Sequence, residues 1–154
     1  MLISRKSKYG LMALMNLARN PSRAQVLIAD LANEENIPKK FLEAILLILR
    51  NGGILTSRIG KGGGYSLGLH PKEITLGKII HILEGDFSLL PCISNSNYVR
   101  CEECENEESC GIRLVMLDVQ HAMDTALDAI TLADMVARSE AARQMARNVV
   151  DYHI

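Results

Sequence analysis

Four cysteines fall within one stretch, spaced Cys92-x8-Cys101-x2-Cys104-x5-Cys110, and the rest of the chain holds none. A Cys-x-x-Cys pair can turn both sulfurs toward one ion, and four thiols in one loop strengthen that signal. Tetrahedral zinc and an iron–sulfur cluster both want four ligands, mostly thiolates, so the spacing leaves both open. Five glutamates between positions 102 and 108 add negative charge beside the thiols and raise their pKa values, a repulsion that a metal cation offsets. Free thiols, or a reversible disulfide between loop neighbours, are the third alternative. The histidines, His70, His81, His121 and His153, are scattered with no nucleophile beside them, which argues against an enzyme.

The elements that must position this loop follow from composition and periodicity. The chain has 154 residues, 48% hydrophobic and 23% charged, with net charge −1, the profile of one soluble globular domain or two very small ones. Its longest apolar run, Ala44 to Leu49, has six residues, far below the roughly 20 that cross a bilayer, so no membrane span is expected. Arg5, Lys6 and Lys8 ahead of Leu11 imitate a secretory leader, but Asn16 and Arg19 interrupt the apolar stretch. The chain is therefore expected to begin at Met1 and to remain cytoplasmic. In such a reducing compartment, clustered cysteines favour metal or redox chemistry over structural disulfides.

The small net charge conceals an asymmetry. Residues 1–70 carry ten Lys and Arg against four Asp and Glu, while residues 71–154 carry seven against fourteen. A basic half on a small domain suits a phosphate backbone, although on charge alone ordinary solvated surface is the favoured reading. Motifs decide. Leu11, Leu14, Met15, Leu17 and Ala18 repeat at helical spacing until Asn20-Pro21, and Val26 to Ala32 form a second short amphipathic stretch. A third helix is expected from Pro38 to Asn51, opening with Lys39-Lys40 and ending at Gly52-Gly53. Two cations at a helix N-terminus oppose the macrodipole, a penalty that an anionic partner relieves.

Ile54 to Ser57 and Tyr65 to Leu67 read as two strands joined by Arg58-Ile-Gly-Lys61-Gly62-Gly63-Gly64. No Lys-Ser/Thr follows these glycines, so a nucleotide-binding P-loop is excluded. After a helix-turn-helix pattern, such a hairpin is a DNA wing, with the glycines admitting a phosphate and Arg58 and Lys61 supplying charge. Thr75 caps a fourth helix ending before Gly85, and periodicity then vanishes from Asp86 to Gly111. Helical spacing resumes through Ile112, Met116, Val119, Met123, Ala126, Ile130, Ala133 and Ala137. These steps of four and three predict one continuous helix of coiled-coil type, with Met116, Val119, Met123, Ala126, Ile130 and Ala133 on the seam of a two-fold homodimer.

Ser7-Lys8-Tyr9-Gly, Ile37-Pro38-Lys-Lys-Phe41-Leu-Glu, Gly60-Lys-Gly-Gly-Gly-Tyr65-Ser-Leu and Ile74-Thr-Leu-Gly together resemble the bacterial regulators of the IscR/NsrR/CymR type. The resemblance runs from about Met1 to Ala137. It implies a dimeric winged-helix transcription factor, probing a palindromic operator in double-stranded DNA with Ser7, Lys8, Tyr9, Pro38, Lys39, Lys40, Phe41 and the wing residues through Tyr65. In its iron–sulfur branch, which this chain resembles most, three cysteines of the loop hold a 2Fe-2S cluster completed by another ligand. Cys104-x5-Cys110 fits that branch's second cysteine interval, whereas Cys92 lies farther upstream than its first, and Cys101 is extra. Arg113 stands where some members carry a ligating His, and Lys8 lies near where others carry an acid, so Cys101 is the candidate fourth ligand. A CymR-like member would hold no cluster.

The expected architecture is mainly α with a small β-hairpin. It comprises a winged helix-turn-helix DNA-binding domain over 1–84, a cysteine-rich cluster-binding loop over 85–111, and a dimerisation helix with a C-terminal segment over 112–154.

Overall fold

The computed structural model describes residues 3–151, so His153 and the other residues beyond those limits lie outside the account that follows. Helix α1 (Arg5–Arg19) begins where Ser4 Oγ accepts the Ser7 N–H at 3.1 Å, and it ends at Asn20 ahead of Pro21. Helix α2 (Ile28–Glu34) and helix α3 (Lys39–Asn51) are joined through Asn36, a non-glycine residue with φ of +53°. Asn is among the few side chains that tolerate this left-handed conformation. Pro38 occupies the cap of α3, where its missing N–H costs nothing.

Strands β1 (Leu55–Arg58) and β2 (Gly64–Leu67) pair antiparallel, with Leu55 opposite Leu67 and Arg58 opposite Gly64. The wing gains a third stretch of extended chain from outside the hairpin. Val26 N–H donates to the Tyr65 carbonyl at 2.9 Å and Tyr65 N–H to the Val26 carbonyl at 2.8 Å. Val26 therefore precedes α2 as extended chain instead of opening it, a departure from the periodicity reading. Gly64 makes this possible, since a Cβ there would lie 2.5 Å from the Val26 carbonyl oxygen.

After a 3-10 turn at Pro71–Glu73, helix α4 (Leu76–Glu84) starts on its Thr75 cap, and Thr75 Oγ1 accepts the Lys78 N–H at 3.1 Å. The following segment contains one further 3-10 turn, Pro91–Ile93, before helix α5 (Gly111–Asp128) and helix α6 (Leu132–Asp151). The core is built from Leu14 of α1, Leu31 of α2, Leu42, Ile45, Leu46 and Leu49 of α3, Ile54, Ile74, Ile79 of α4 and Leu132 of α6, all at or below 1% exposure. Helix α1 packs against α3, α4 and α6, and α5 packs against α4.

The expected continuous helix across Ile112–Ala137 is two helices. Asp134 accepts the Thr131 N–H at 2.9 Å and Thr131 Oγ1 accepts the Asp134 N–H at 3.1 Å, a reciprocal cap that starts α6 afresh. Immediately beside this cap, Leu76 N–H donates to the Ile130 carbonyl and Leu132 N–H to the Ile74 carbonyl, each at 2.8 Å. The chain between α5 and α6 is thus spliced into the winged-helix core. Ile130 sits in that splice, and Ala133 lies beyond the break on a helix that folds back over α1, where Arg19 Nη2 donates to Ser139 Oγ at 3.1 Å. Neither continues the α5 face.

Because Leu132 is fully buried at this splice, Leu132→Ala is expected to destabilise the fold by about 2–5 kcal/mol. The readout is a lower urea midpoint at an unchanged m-value. A change within about 0.5 kcal/mol would mean that α6 is not docked on the core.

Candidate nucleic-acid interface and cysteine loop

Helix α3 buries Leu42, Ile45, Leu46 and Leu49, which turns Lys39, Lys40, Glu43 and Arg50 to the exposed side. Between this side, the start of α2 and the wing lies an open groove of about 410 Å³, lined by Ile28, Ala29, Lys39, Glu43, Arg50, Ser57, Arg58 and Tyr65 among others. Arg50 Nη1 donates to Ser57 Oγ at 3.2 Å, tying the end of α3 to β1. The wing tip closes through Gly63 N–H donating to the Gly60 carbonyl at 2.9 Å. A Cβ on Gly63 would collide with the Arg58 carbonyl oxygen, so only glycine permits this turn. Cations on a helix N-terminus and on a stiff hairpin, with a groove between them, match a helix in the major groove and a wing on the flanking backbone.

Of the residues singled out from sequence, Lys39, Arg58, Gly63, Gly64 and Tyr65 line the groove. Pro38, Lys39, Lys40, Phe41, Arg58, Lys61 and Gly62 are exposed, and Lys8 is exposed at the head of α1. Tyr9 is half-buried and stands edge-on to Phe41, with ring centroids 5.7 Å apart at 84°. Ser7 does not reach it. Its side chain is fully buried, because its N–H is engaged by the Ser4 cap and turned into the domain. The groove also recruits residues that periodicity passed over. Glu43 and Arg50 follow Lys39 at helical spacing, and that spacing was the available signal.

The cysteine loop is organised from both ends. Asp86, directly after α4, accepts hydrogen bonds from Ser88 Oγ at 3.0 Å, Ser96 N–H at 3.1 Å, Ser96 Oγ at 2.9 Å and Ser94 Oγ. These donors, Ser94 first, hold its carboxyl far below the usual carboxylate range. At the other end Glu107 accepts from Tyr98 Oη at 2.7 Å and from Cys101 N–H at 3.4 Å, and the Tyr98 bond lowers its pKa.

All four cysteines are free. Cys110 caps α5, and the Arg113 N–H, followed by the Cys104 thiol, draws the Cys110 thiol below its ordinary range. The same hydrogen bond to Cys110, with burial and the charges of Cys110, Cys101 and Glu107 behind it, holds Cys104 above that range. Cys101, Cys104 and Cys110 are therefore electrostatic neighbours. Cys92 is buried in the Pro91–Ile93 turn, where its carbonyl accepts from Arg113 Nε at 3.4 Å. Among the described residues no three His, Cys, Asp or Glu side chains already converge at metal-binding distances. What the loop offers is a donor set, and four reduced thiols fit a thiophilic ion or an iron–sulfur cluster in chemistry.

A three-helix head with a β-wing, a basic groove and a cysteine loop leading into an additional helix define a winged helix-turn-helix transcription regulator. The chain belongs to the Rrf2 family, described as iron-dependent transcriptional regulators, whose sequence pattern matches residues 3–138. It is 37% identical over 147 residues to an Rrf2-like HTH-type transcriptional regulator of Rhodobacter capsulatus, covering 94% of this chain and 98% of the relative. Among solved structures, it resembles CymR, the global cysteine regulator of B. subtilis, with a TM-score of 0.68 at 30% identity, covering 90% of this chain and 98% of that one. It also resembles IscR of T. potens, with a TM-score of 0.70 at 29% identity over 92% of this chain and 90% of that one. These relatives are transcription regulators and not enzymes, and among the described residues no helix is long and apolar enough to cross a membrane.

Replacing Lys39 and Lys40 together by Ala is expected to weaken duplex binding and to lower the slope of log affinity against log salt by about 0.9 for each phosphate that is no longer neutralised. Titrations between low and moderate salt read this directly, and an unchanged slope would remove both residues from the interface.

Proposed function

We propose that this Rrf2-family regulator acts as a homodimer on a palindromic operator and that a 2Fe-2S cluster in the cysteine loop changes its affinity for that operator. One observation carries the reading: Cys110 is at once a donor of the loop and the N-cap of α5. Cys92, Cys101, Cys104 and Cys110 would hold the cluster, which when bound supplies a redox-active centre sensitive to iron–sulfur status, oxygen or nitric oxide. Arg113, positioned between the Cys92 carbonyl and the Cys110 cap, offsets the negative charge that four thiolates would bring.

The chain's own residues transmit the state of the loop. Helix α5 has no buried residue, and Ile112, Val115 and Val119, which share one face of it, expose 42–70% of their surfaces. Such a face is covered in a two-fold dimer, with Met116, Val119, Met123 and Ala126 following it along the helix. Fixing Cys110 fixes the first turn of α5, and the link that follows α5 is hydrogen-bonded through Ile130 and Leu132 to Leu76 and Ile74 of the DNA-binding head. The separation of the two α3 helices then depends on the loop, and half-site spacing makes affinity sensitive to that separation.

The opposite pKa shifts that Cys104 and Cys110 impose on each other as neighbours favour one second reading, a cluster-free thiol switch, in which these thiols give up two protons and two electrons to an external oxidant and join as a disulfide. Protein purified without oxygen decides between them. The cluster reading expects a reddish-brown protein with iron and sulfide near two each per chain, bleached in Cys104→Ser and Cys110→Ser and spectrally shifted in Cys101→Ser. Zinc alone, or no metal, would overturn it. For the dimer, Val115→Glu is expected to give monomers in sedimentation, since an unpaired buried charge costs about 3–5 kcal/mol. An intact dimer would displace the interface from α5.

A further inference from the structure

Ile59 is a fully exposed side chain at the wing tip, and it borders the groove that holds Lys39, Arg50 and Ser57. Its neighbours make this unusual. Arg58 precedes it, Lys61 lies two residues on, and Gly60 and Gly62 contribute no side chain. The tip is held in place by the Gly60–Gly63 turn and by the pairing of Val26 with Tyr65. Only an anionic partner would settle on Arg58 and Lys61, yet a phosphate gives an isoleucine nothing to pack against. Between its phosphates a duplex offers apolar surface at the thymine methyls of the major groove, which the recognition helix fills, and at the sugar-lined walls of the minor groove, which is left to the wing.

We infer that Ile59 enters the minor groove beside the helix-reading site and makes this regulator select A·T pairs at the wing contact. The inference rests on the DNA-binding reading and deepens it. In the minor groove A·T and T·A pairs present only acceptors, whereas a G·C pair adds the guanine 2-amino group, which stands up from the groove floor. That group occupies the space the isoleucine needs, and its N–H is left without a partner once water is expelled. Arg58 and Lys61 bind the flanking phosphates and fix where the side chain enters, without distinguishing sequence.

The test uses the full-length protein and a randomised duplex library, selected in parallel with the parent and with Ile59→Ala. The parent is expected to enrich A·T pairs flanking its major-groove bases, and the variant to keep those bases while losing the A·T bias. On the selected duplex, changing one such A·T pair to G·C is expected to weaken parent binding about tenfold. Changing it to inosine·C, which lacks the 2-amino group, restores binding. Ile59→Ala should bind all three duplexes within about twofold of one another, with the parent's salt slope, whereas Lys61→Ala lowers that slope by about 0.9. An Ile59→Ala motif identical to the parent's, with the same G·C penalty, overturns the inference while leaving DNA binding intact. No enriched motif from the parent overturns both. The thermal midpoint of Ile59→Ala should match the parent's, since the side chain touches no core residue.

Discussion

The structure turns on a two-bond splice. Leu76 donates to Ile130 and Leu132 to Ile74, each at 2.8 Å, with Thr75 facing Thr131 and Leu132 buried beneath. Here α4 begins, α5 has just ended and α6 starts, so three helix termini are satisfied in one place. Thr75 caps α4 and also donates to Asp128 Oδ1 at 3.4 Å, bringing a carboxylate to the positive end of α4. The approach is close enough that a Cβ on Gly77 would collide with Asp128 Oδ1. The splice thus adds to the packing of α5 on α4 a second attachment to the head, at the opposite end of α5 from the cysteine loop.

The same arrangement joins the two electrostatic halves of the chain. Glu84, at the far end of α4, accepts the Ser4 N–H at 3.1 Å and the Ser4 hydroxyl, and the hydroxyl bond above all lowers its pKa. An acidic residue of the second half thereby fixes the start of α1, the helix that carries Lys8 and packs on α3. The head is consistent internally as well. Asn16 Nδ2 donates to both Glu34 and Glu35 at 3.0 and 2.8 Å, and Arg23 bonds Glu34, which holds the end of α2 against α1. Two of the four acids of the basic half are thus engaged inside it, while Glu43 lines the groove beside the cations.

Much of this was legible in the residues because the signals were local. Pro38 before α3, Gly52 after it, Thr75 at the head of α4 and the glycine-rich wing each act within a few residues, and each occupies its expected place. The single long helix failed for an instructive reason. Apolar steps of four and three cross Ala129 to Thr131 without interruption, but the Thr131–Asp134 cap and the pull of Leu132 into the core outweigh the seam. That cap was written in the sequence and was masked by periodicity. Val26 and Asp86 were harder. Pairing with a wing some forty residues away, or gathering serines from a loop, depends on tertiary closure that no local pattern encodes. The thiol network around Glu107 is of the same kind, since Tyr98 reaches it only once the loop has folded.

The pairing of Val26 with the wing bears on speed of encounter. Because Val26 and Tyr65 exchange two backbone hydrogen bonds, the hairpin is fastened to the approach of α2 and moves with the head as one body. Its ordering cost is therefore met when the chain folds and not when it meets a partner. A rigid docking surface needs no rearrangement after collision, so association is set by diffusion, orientation and charge steering, and discrimination among targets falls mostly to the rate of departure.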